Sequence, residues 1–235
     1  ISISGPFIGG LLISNYSFRE VFLFSTFLLI FASIALFFSN DIKIKSKLSW
    51  KGVIDSKNFT KNAVFFLQGS NYCAVSFIWP VFLFVNSINI TLMGAFYLLS
   101  NTLNSIIIFI GGKKVDTHGS SKIIRLGAFG HGLSIFLRAL SSTSLFMAAT
   151  QSMGGIFGGL MHVGIDSSFF KHSHKRMGNA IINREFYMHI GRITTVLALL
   201  FALLLFELKI ALIFVLFFAS LNTFLLTAIV KHNKS

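Results

Sequence analysis

Glu185, His189 and Arg192 are separated by four and three residues, a spacing that stacks side chains on one face of a helix. A carboxylate, an imidazole and a guanidinium in such a row can hold an anionic group and can pass a proton beside it. The three residues open a run, about Ala180 to Phe206, that soon becomes wholly apolar. Arg192 is therefore expected well inside hydrocarbon, where an unpaired charge costs about 2.5–3.5 kcal/mol on insertion scales. It must face protein or a water-filled cavity and find a partner. The functional expectation is that Arg192 holds an anionic group of a substrate or biases the protonation of Glu185. The structural alternative pairs Glu185 with Arg192 or with Arg184 near the membrane interface, with Arg184 snorkelling.

Two further polar sets interrupt apolar runs. Gln68, Asn71, Tyr72 and Ser76 lie at offsets of three, four and eight, and Asn101 and Asn104 at three, so each set occupies one helix face. Hydrogen bonds between helices would account for both sets. His131, between Gly130 and Gly132, reads as a packed, hydrogen-bonded residue. His172 and His174 fall in a basic stretch with no cysteine or acidic residue close by, and Cys73 lies alone in an apolar run. No metal site and no cofactor are expected from these spacings. An H-E-x-x-H helix, a paired-aspartate span and a nucleophile elbow are all missing, so the chain does not read as an enzyme.

The elements that must position these groups follow from composition. The chain has 235 residues, of which 54% are hydrophobic and 11% charged, against about 25% charged in soluble domains. The apolar residues come in runs of about 20, long enough to cross roughly 30 Å of hydrocarbon, where only helices and closed barrels satisfy the backbone. The runs are about Phe18 to Ser39, Asn62 to Val85, Thr91 to Gly111, Ile123 to Leu140, Leu145 to Ile165, Ala180 to Phe206 and Ile210 to Val230. Ile1 to Ser14 reads as the end of a further span. The fold class expected is an all-α, polytopic membrane helix bundle of seven complete spans and one partial. Trp79-Pro80 should bend the third run. Gly154, Gly155, Gly158 and Gly159 form overlapping small-xxx-small pairs, which predict a packing face.

The net charge of +13 would suggest nucleic acid in a soluble protein. Here it is assigned to membrane topology, and no nucleic acid partner is expected. Strict alternation of spans puts the basic segments 40–61, 112–122 and 166–179 on the same side as the C-terminus, which the positive-inside rule makes cytoplasmic. The localisation expected is the cell membrane, multi-pass, with the lipid bilayer as an obligate partner.

Between two of these runs, Gly112, Asp116, Gly119 and Lys122 fit the pattern G-x-x-x-D-x-x-G-x-x-[RK]. On its own spacing this is a tight polar turn, with Asp116 placed to cap the helix that follows. With the six runs from Asn62 onward, it resembles the major facilitator superfamily of secondary transporters, in which such a loop joins the second and third helices of each six-helix half. Gly5, Pro6, Gly9 and Gly10 are similar to the fifth-helix signature of that family's proton-coupled drug antiporters. The resemblance implies a major-facilitator-like bundle. Residues 1–39 would be the last one and a half helices of the N-terminal half, 40–61 the basic cytoplasmic linker and 62–235 the C-terminal half. It also implies that the rest of the N-terminal half precedes Ile1. Gly112, Asp116, Gly119 and Lys122 would form a conformational loop latching one state. Gln68, Asn71, Tyr72, Asn101 and Asn104 would line one cavity with Glu185, His189 and Arg192. The function implied is alternating-access transport of a small organic solute, coupled to protons in the export direction. The alternative is a non-transporting membrane protein with a transporter-like fold, acting as an assembly or sensor partner. A polar cavity favours the first, and a sealed apolar interior with Arg192 outside it favours the second.

Overall fold

The computed structural model describes residues 3–38, 59–173 and 177–230, the side chains of Asp116, His118 and His172 aside. Among the described residues the chain is helical without strands. The helices are α1 (Gly5–Asn15), α2 (Phe18–Phe37), α3 (Phe59–Cys73), a π-helical turn (Ala74–Ile78), α4 (Trp79–Val85), α5 (Ile90–His118), α6 (Ser120–Ala139), α7 (Ser144–Ser173), α8 (Met177–Leu205) and α9 (Leu208–Ile229). Local chemistry sets several starts. The Ser17 N–H donates to the Glu20 carboxylate at 2.6 Å at the head of α2, and Asn89 Oδ1 accepts the Thr91 N–H at 2.8 Å at the head of α5.

Four helical stretches are long and apolar enough to cross a membrane: Phe18–Phe37, Ile90–Val115, Met177–Leu205 and Leu208–Ile229. They mark a membrane protein. No residue of α2 is buried, and Phe22, Leu29 and Leu36 are each about two-thirds exposed or more, as lipid-facing side chains are. The unbroken helical path of residues 59–85, α6 and α7 are the less uniformly apolar segments. Their sequences carry the glycine, serine, asparagine and histidine that turn inward, including buried Gln68, Ser70, Asn71, His131, Ser134 and Gln151.

Small residues let four pairs of helices approach closely. Gly69 of α3 meets the Met188 backbone of α8, and Gly191 of α8 meets the Phe66 carbonyl of α3. Gly10 of α1 and Gly94 of α5 make the same reciprocal contact, an added Cβ falling 2.9 Å from the Ile90 carbonyl oxygen and 2.7 Å from that of Pro6. The expected glycine face of α7 divides in two. Gly155 and Gly159 sit against Ser100 and Asn104 of α5, while Gly154 and Gly158 make room for Arg138 and His131 of α6. Thus α7 packs extensively on both α5 and α6, which touch each other much less.

Two expected connections are shorter than the polarity of the sequence implied. Gly112 to His118 continue α5, and the break to α6 is Gly119 alone, at φ 78°, a backbone angle glycine adopts without a Cβ clash. The side chain of Asp116 lies outside the described residues, as does segment 39–58, which holds most of the expected linker; Phe59–Lys61 already belong to α3. Likewise Asp166 to Ser173 extend α7 rather than forming a loop, and residues 174–176 lie outside the described chain. Loss of hydropathy marks where a helix leaves lipid, not where it ends. Where a bend is expected at Pro80, the helix carries a π-helical turn, Ala74–Ile78, just before it. Proline removes one N–H and crowds the carbonyl four residues back, here Ser76, and a π turn relieves that crowding.

Candidate functional site

The buried side chains form two apolar clusters separated by a polar band. One cluster gathers Trp79, Phe82, Leu83, Ile135, Met147 and Leu216. The other gathers Phe65, Ile124, Met161, Ile165, Met188 and Leu226. On α3, α6 and α9 the residues between these sets are Gln68 to Asn71, His131 to Ser134 and Ser220 to Thr223, which places the band at mid-height of the bundle.

Within the band, buried groups hydrogen-bond one another, as a low-dielectric interior favours, while Gln68 Oε1 and His131 Nδ1 are left without a partner. Asn71 Nδ2 donates to Thr223 Oγ1 at 2.9 Å, and Asn71 Oδ1 lies 3.2 Å from His131 Nε2. Ser70 Oγ accepts Asn222 Nδ2 at 2.9 Å and lies 2.8 Å from Thr195 Oγ1. Gln68 Nε2 and the Tyr72 hydroxyl approach His162 Nδ1 at 3.4 and 3.5 Å, and the Tyr72 and His162 rings stack at 5.0 Å.

Beside this network lies a cavity of about 590 Å³, within the size range of small-molecule sites. Asn71, Tyr72, Ser76 and Pro80 line it from the α3-to-α4 path, Tyr97, Asn101 and Asn104 from α5, and His131 and Arg138 from α6. From α7 come Gln151, Gly154, Gly155, Gly158, His162 and Asp166, at helical spacings that make one continuous stripe. Pro6 of α1 also reaches the wall.

Asn71, Tyr72, Asn101 and Asn104 thus share the cavity expected of them, and Gln68 stands behind it against His162. Glu185, His189 and Arg192 are not among its lining residues. Glu185 and His189 are half-exposed or more and sit 3.9 Å apart, an exposed pair that contributes little. The Arg192 guanidinium lies 5.9 Å from the centroid of the Tyr72 ring, its link to the cavity wall. The interior stripe of α8 runs through Asn183, Met188, Gly191 and Thr195, turned about 100° from the charged row. Arg184 pairs not with Glu185 but with Asp166, Nη2 donating to Oδ1 at 2.7 Å. No protein-family model and no curated protein matches this chain.

Arg138 and His162 are the site residues that the sequence reading passed over. Arg138 stands in the last turn of α6, yet it is 1% exposed. Its guanidinium stacks 5.1 Å from the Trp79 ring, and its Nη2 lies where a Cβ on Gly154 would stand. The signal was present in spacing. His131 and Arg138 are seven apart on α6, and Gly154, Gly158, His162 and Asp166 recur every four on α7. Among the described residues no group of three or more metal-ligating side chains converges.

Proposed function

We propose that this chain belongs to a secondary active transporter of a small organic solute, working by alternating access. The major-facilitator-like reading of Gly112, Asp116, Gly119 and Lys122 and of Gly5, Pro6, Gly9 and Gly10 motivates it, and adds proton-coupled export across the cell membrane with a cytoplasmic C-terminus. The observation that carries it is the cavity at mid-height, into which α5, α6, α7 and the α3-to-α4 path turn polar side chains, beside a buried hydrogen-bond network. Transporters bind substrate at such a level, at the meeting of helices that must move past one another. The glycine crossings of α7 on α5 and α6, and the π turn before Pro80, are contacts at which helices can shift with few side chains interlocked.

The experiment is flux in proteoliposomes made with the full-length protein. An imposed pH gradient is expected to accelerate movement of at least one member of a panel of small organic anions, cations and neutral solutes. Absence of protein-dependent flux for all of them, with the protein folded and inserted, would refute the reading. A non-transporting assembly or sensor partner is then favoured, and one observation already points that way: Glu185, His189 and Arg192 stand outside the cavity.

A further inference from the structure

The charge balance of the cavity goes further than its size. Three arginines, Arg138, Arg184 and Arg192, and the carboxylate of Asp166 border it or approach it closely, and the carboxylate is paired with only one of them. At one end Asp166 is bound to Arg184 at 2.7 Å, so that pair is neutral as a unit. Gly154, against which Arg138 rests, is twelve residues up α7 from Asp166, about 18 Å along the axis at the rise of an α-helix. Arg138 therefore has no share in that carboxylate, and it forms no ion pair with any described residue.

Two of its three donor nitrogens are without an acceptor as well. A guanidinium carries five N–H donors, and neither Nε nor Nη1 of Arg138 has an acceptor. The Trp79 ring covers a face of the guanidinium, which favours the cation but accepts none of its in-plane hydrogens. Near it on the wall, Gln151 Oε1 is also buried without a donor. Burying an uncompensated cation is costly in any protein interior. A fold that clears space for one by placing glycine at 154 keeps that cost unless a ligand relieves it.

We propose that Arg138 is the anchor for the acidic group of a small organic anion, and that the cavity is selective for anions. This rests on the transport reading only for the fate of the ligand, not for its binding. The carboxylate of the ligand meets the Arg138 fork, and a hydroxyl or amide N–H beside it meets Gln151 Oε1. The apolar or aromatic body extends toward the stacked Tyr72 and His162 rings, past Val75 and Pro80. Arg192 was the residue from which this role was expected. Arg138 has the placement that the role requires.

The test uses the full-length protein in nanodiscs, with benzoate, benzamide and benzylammonium as probes of one shape and three charges. Benzoate is expected to bind, and the neutral and cationic probes to bind about 10- to 100-fold more weakly. Arg138→Gln should weaken benzoate by a similar factor, and Arg138→Lys by less. Should Arg138→Gln not fold, Gly154→Ala tests the same point by pushing Nη2 from its seat while keeping the charge, and it too should weaken benzoate. Equal binding of the three probes, unchanged benzoate affinity in folded Arg138→Gln or in Gly154→Ala, or no binding of benzoate at millimolar concentration would each overturn the proposal. Flux in proteoliposomes separates it from the transport reading. If a neutral or cationic solute is carried equally by wild type and Arg138→Gln, transport stands and the anion site falls. If benzoate binds through Arg138 and no solute moves, the anion site stands and transport falls.

Discussion

Arg138 and Arg184 are the same residue type in related surroundings, and what separates them most is whether a carboxylate answers the charge. Each guanidinium is withdrawn from solvent and lies over an aromatic ring, Trp79 at 5.1 Å for one and Phe169 at 5.2 Å for the other. Arg184 has Asp166 at 2.7 Å, and Arg138 has no carboxylate among the described residues. A paired arginine is explained by its partner: the carboxylate balances its charge and ties α8 to α7, even though its Nε is buried without an acceptor. An unpaired one leaves an attraction unspent, and in a cavity wall that attraction is available to a ligand. The difference teaches that burial and aromatic stacking do not distinguish a structural arginine from a binding one. A carboxylate that balances the charge does.

The sharpest way to break this comparison is to remove each charge in turn. Arg138→Gln is expected to cost about 1.5–3 kcal/mol of anion binding, the range for hydrogen bonds to charged groups. The fold should change by less than about 1 kcal/mol, because an uncompensated buried charge is also relieved. Arg184→Gln should do the reverse. It leaves Asp166 without its partner, and since the Asp166 side chain is 43% exposed, the expected loss of stability is about 1–2 kcal/mol. Adding Asp166→Asn should recover part of that loss, giving a measurable coupling in a double-mutant cycle of unfolding midpoints. Equal destabilisation by Arg138→Gln and Arg184→Gln would erase the distinction drawn between them.

The glycines of α7 sharpen the comparison from the other side. A Cβ at Gly154 would occupy the position of Arg138 Nη2, whereas one at Gly158 would stand 3.1 Å from the His131 ring. Gly154→Ala is expected to cost about 1–3 kcal/mol of stability through overpacking, and Gly158→Ala less, since the ring can yield by a few tenths of an ångström. Comparing their unfolding midpoints with their benzoate affinities shows whether the seat of Arg138 serves packing or binding.

Much of this architecture was legible in the sequence, for a physical reason that also sets the limit. Hydropathy runs report where a helix lies in lipid, so α2, α5, α8 and α9 stand out. They do not report where a helix stops in water, and Gly112 to His118 and Asp166 to Ser173 were read as loops for that reason. Offsets of three and four showed that Asn71 and Tyr72 share a face, and Asn101 and Asn104 another, and both faces turn inward. The same rule grouped Glu185, His189 and Arg192, but spacing defines a common face without saying which way it points. On α8 the inward direction is set by Gly191, whose absent Cβ lets the Phe66 carbonyl approach, and the charged row is turned away from it. Arg138 escaped notice because a single arginine near the end of an apolar run looks like an interfacial anchor. Only its juxtaposition with Gly154, sixteen residues on and across a turn, reveals the pocket made for it.

The smallest effects should come from the charged row itself. Glu185 and His189 form their contact at 3.9 Å with both side chains half-exposed or more, so Glu185→Gln and His189→Ala should each change stability by no more than about 0.5 kcal/mol. Arg192→Ala removes the approach to the Tyr72 ring and should cost about 0.5–1 kcal/mol, the value of an exposed cation–π contact. None of the three should alter benzoate affinity by as much as Arg138→Gln does. A loss of pH-gradient-driven flux in Glu185→Gln or His189→Ala with benzoate binding intact would separate proton coupling from solute recognition. It would place the first on the outer face of α8 and leave the second at Arg138. If Arg192→Ala instead abolishes benzoate binding while Arg138→Gln spares it, the anchor lies on α8, as the spacing alone had suggested. The contrast between a paired and an unpaired arginine would then carry no functional meaning.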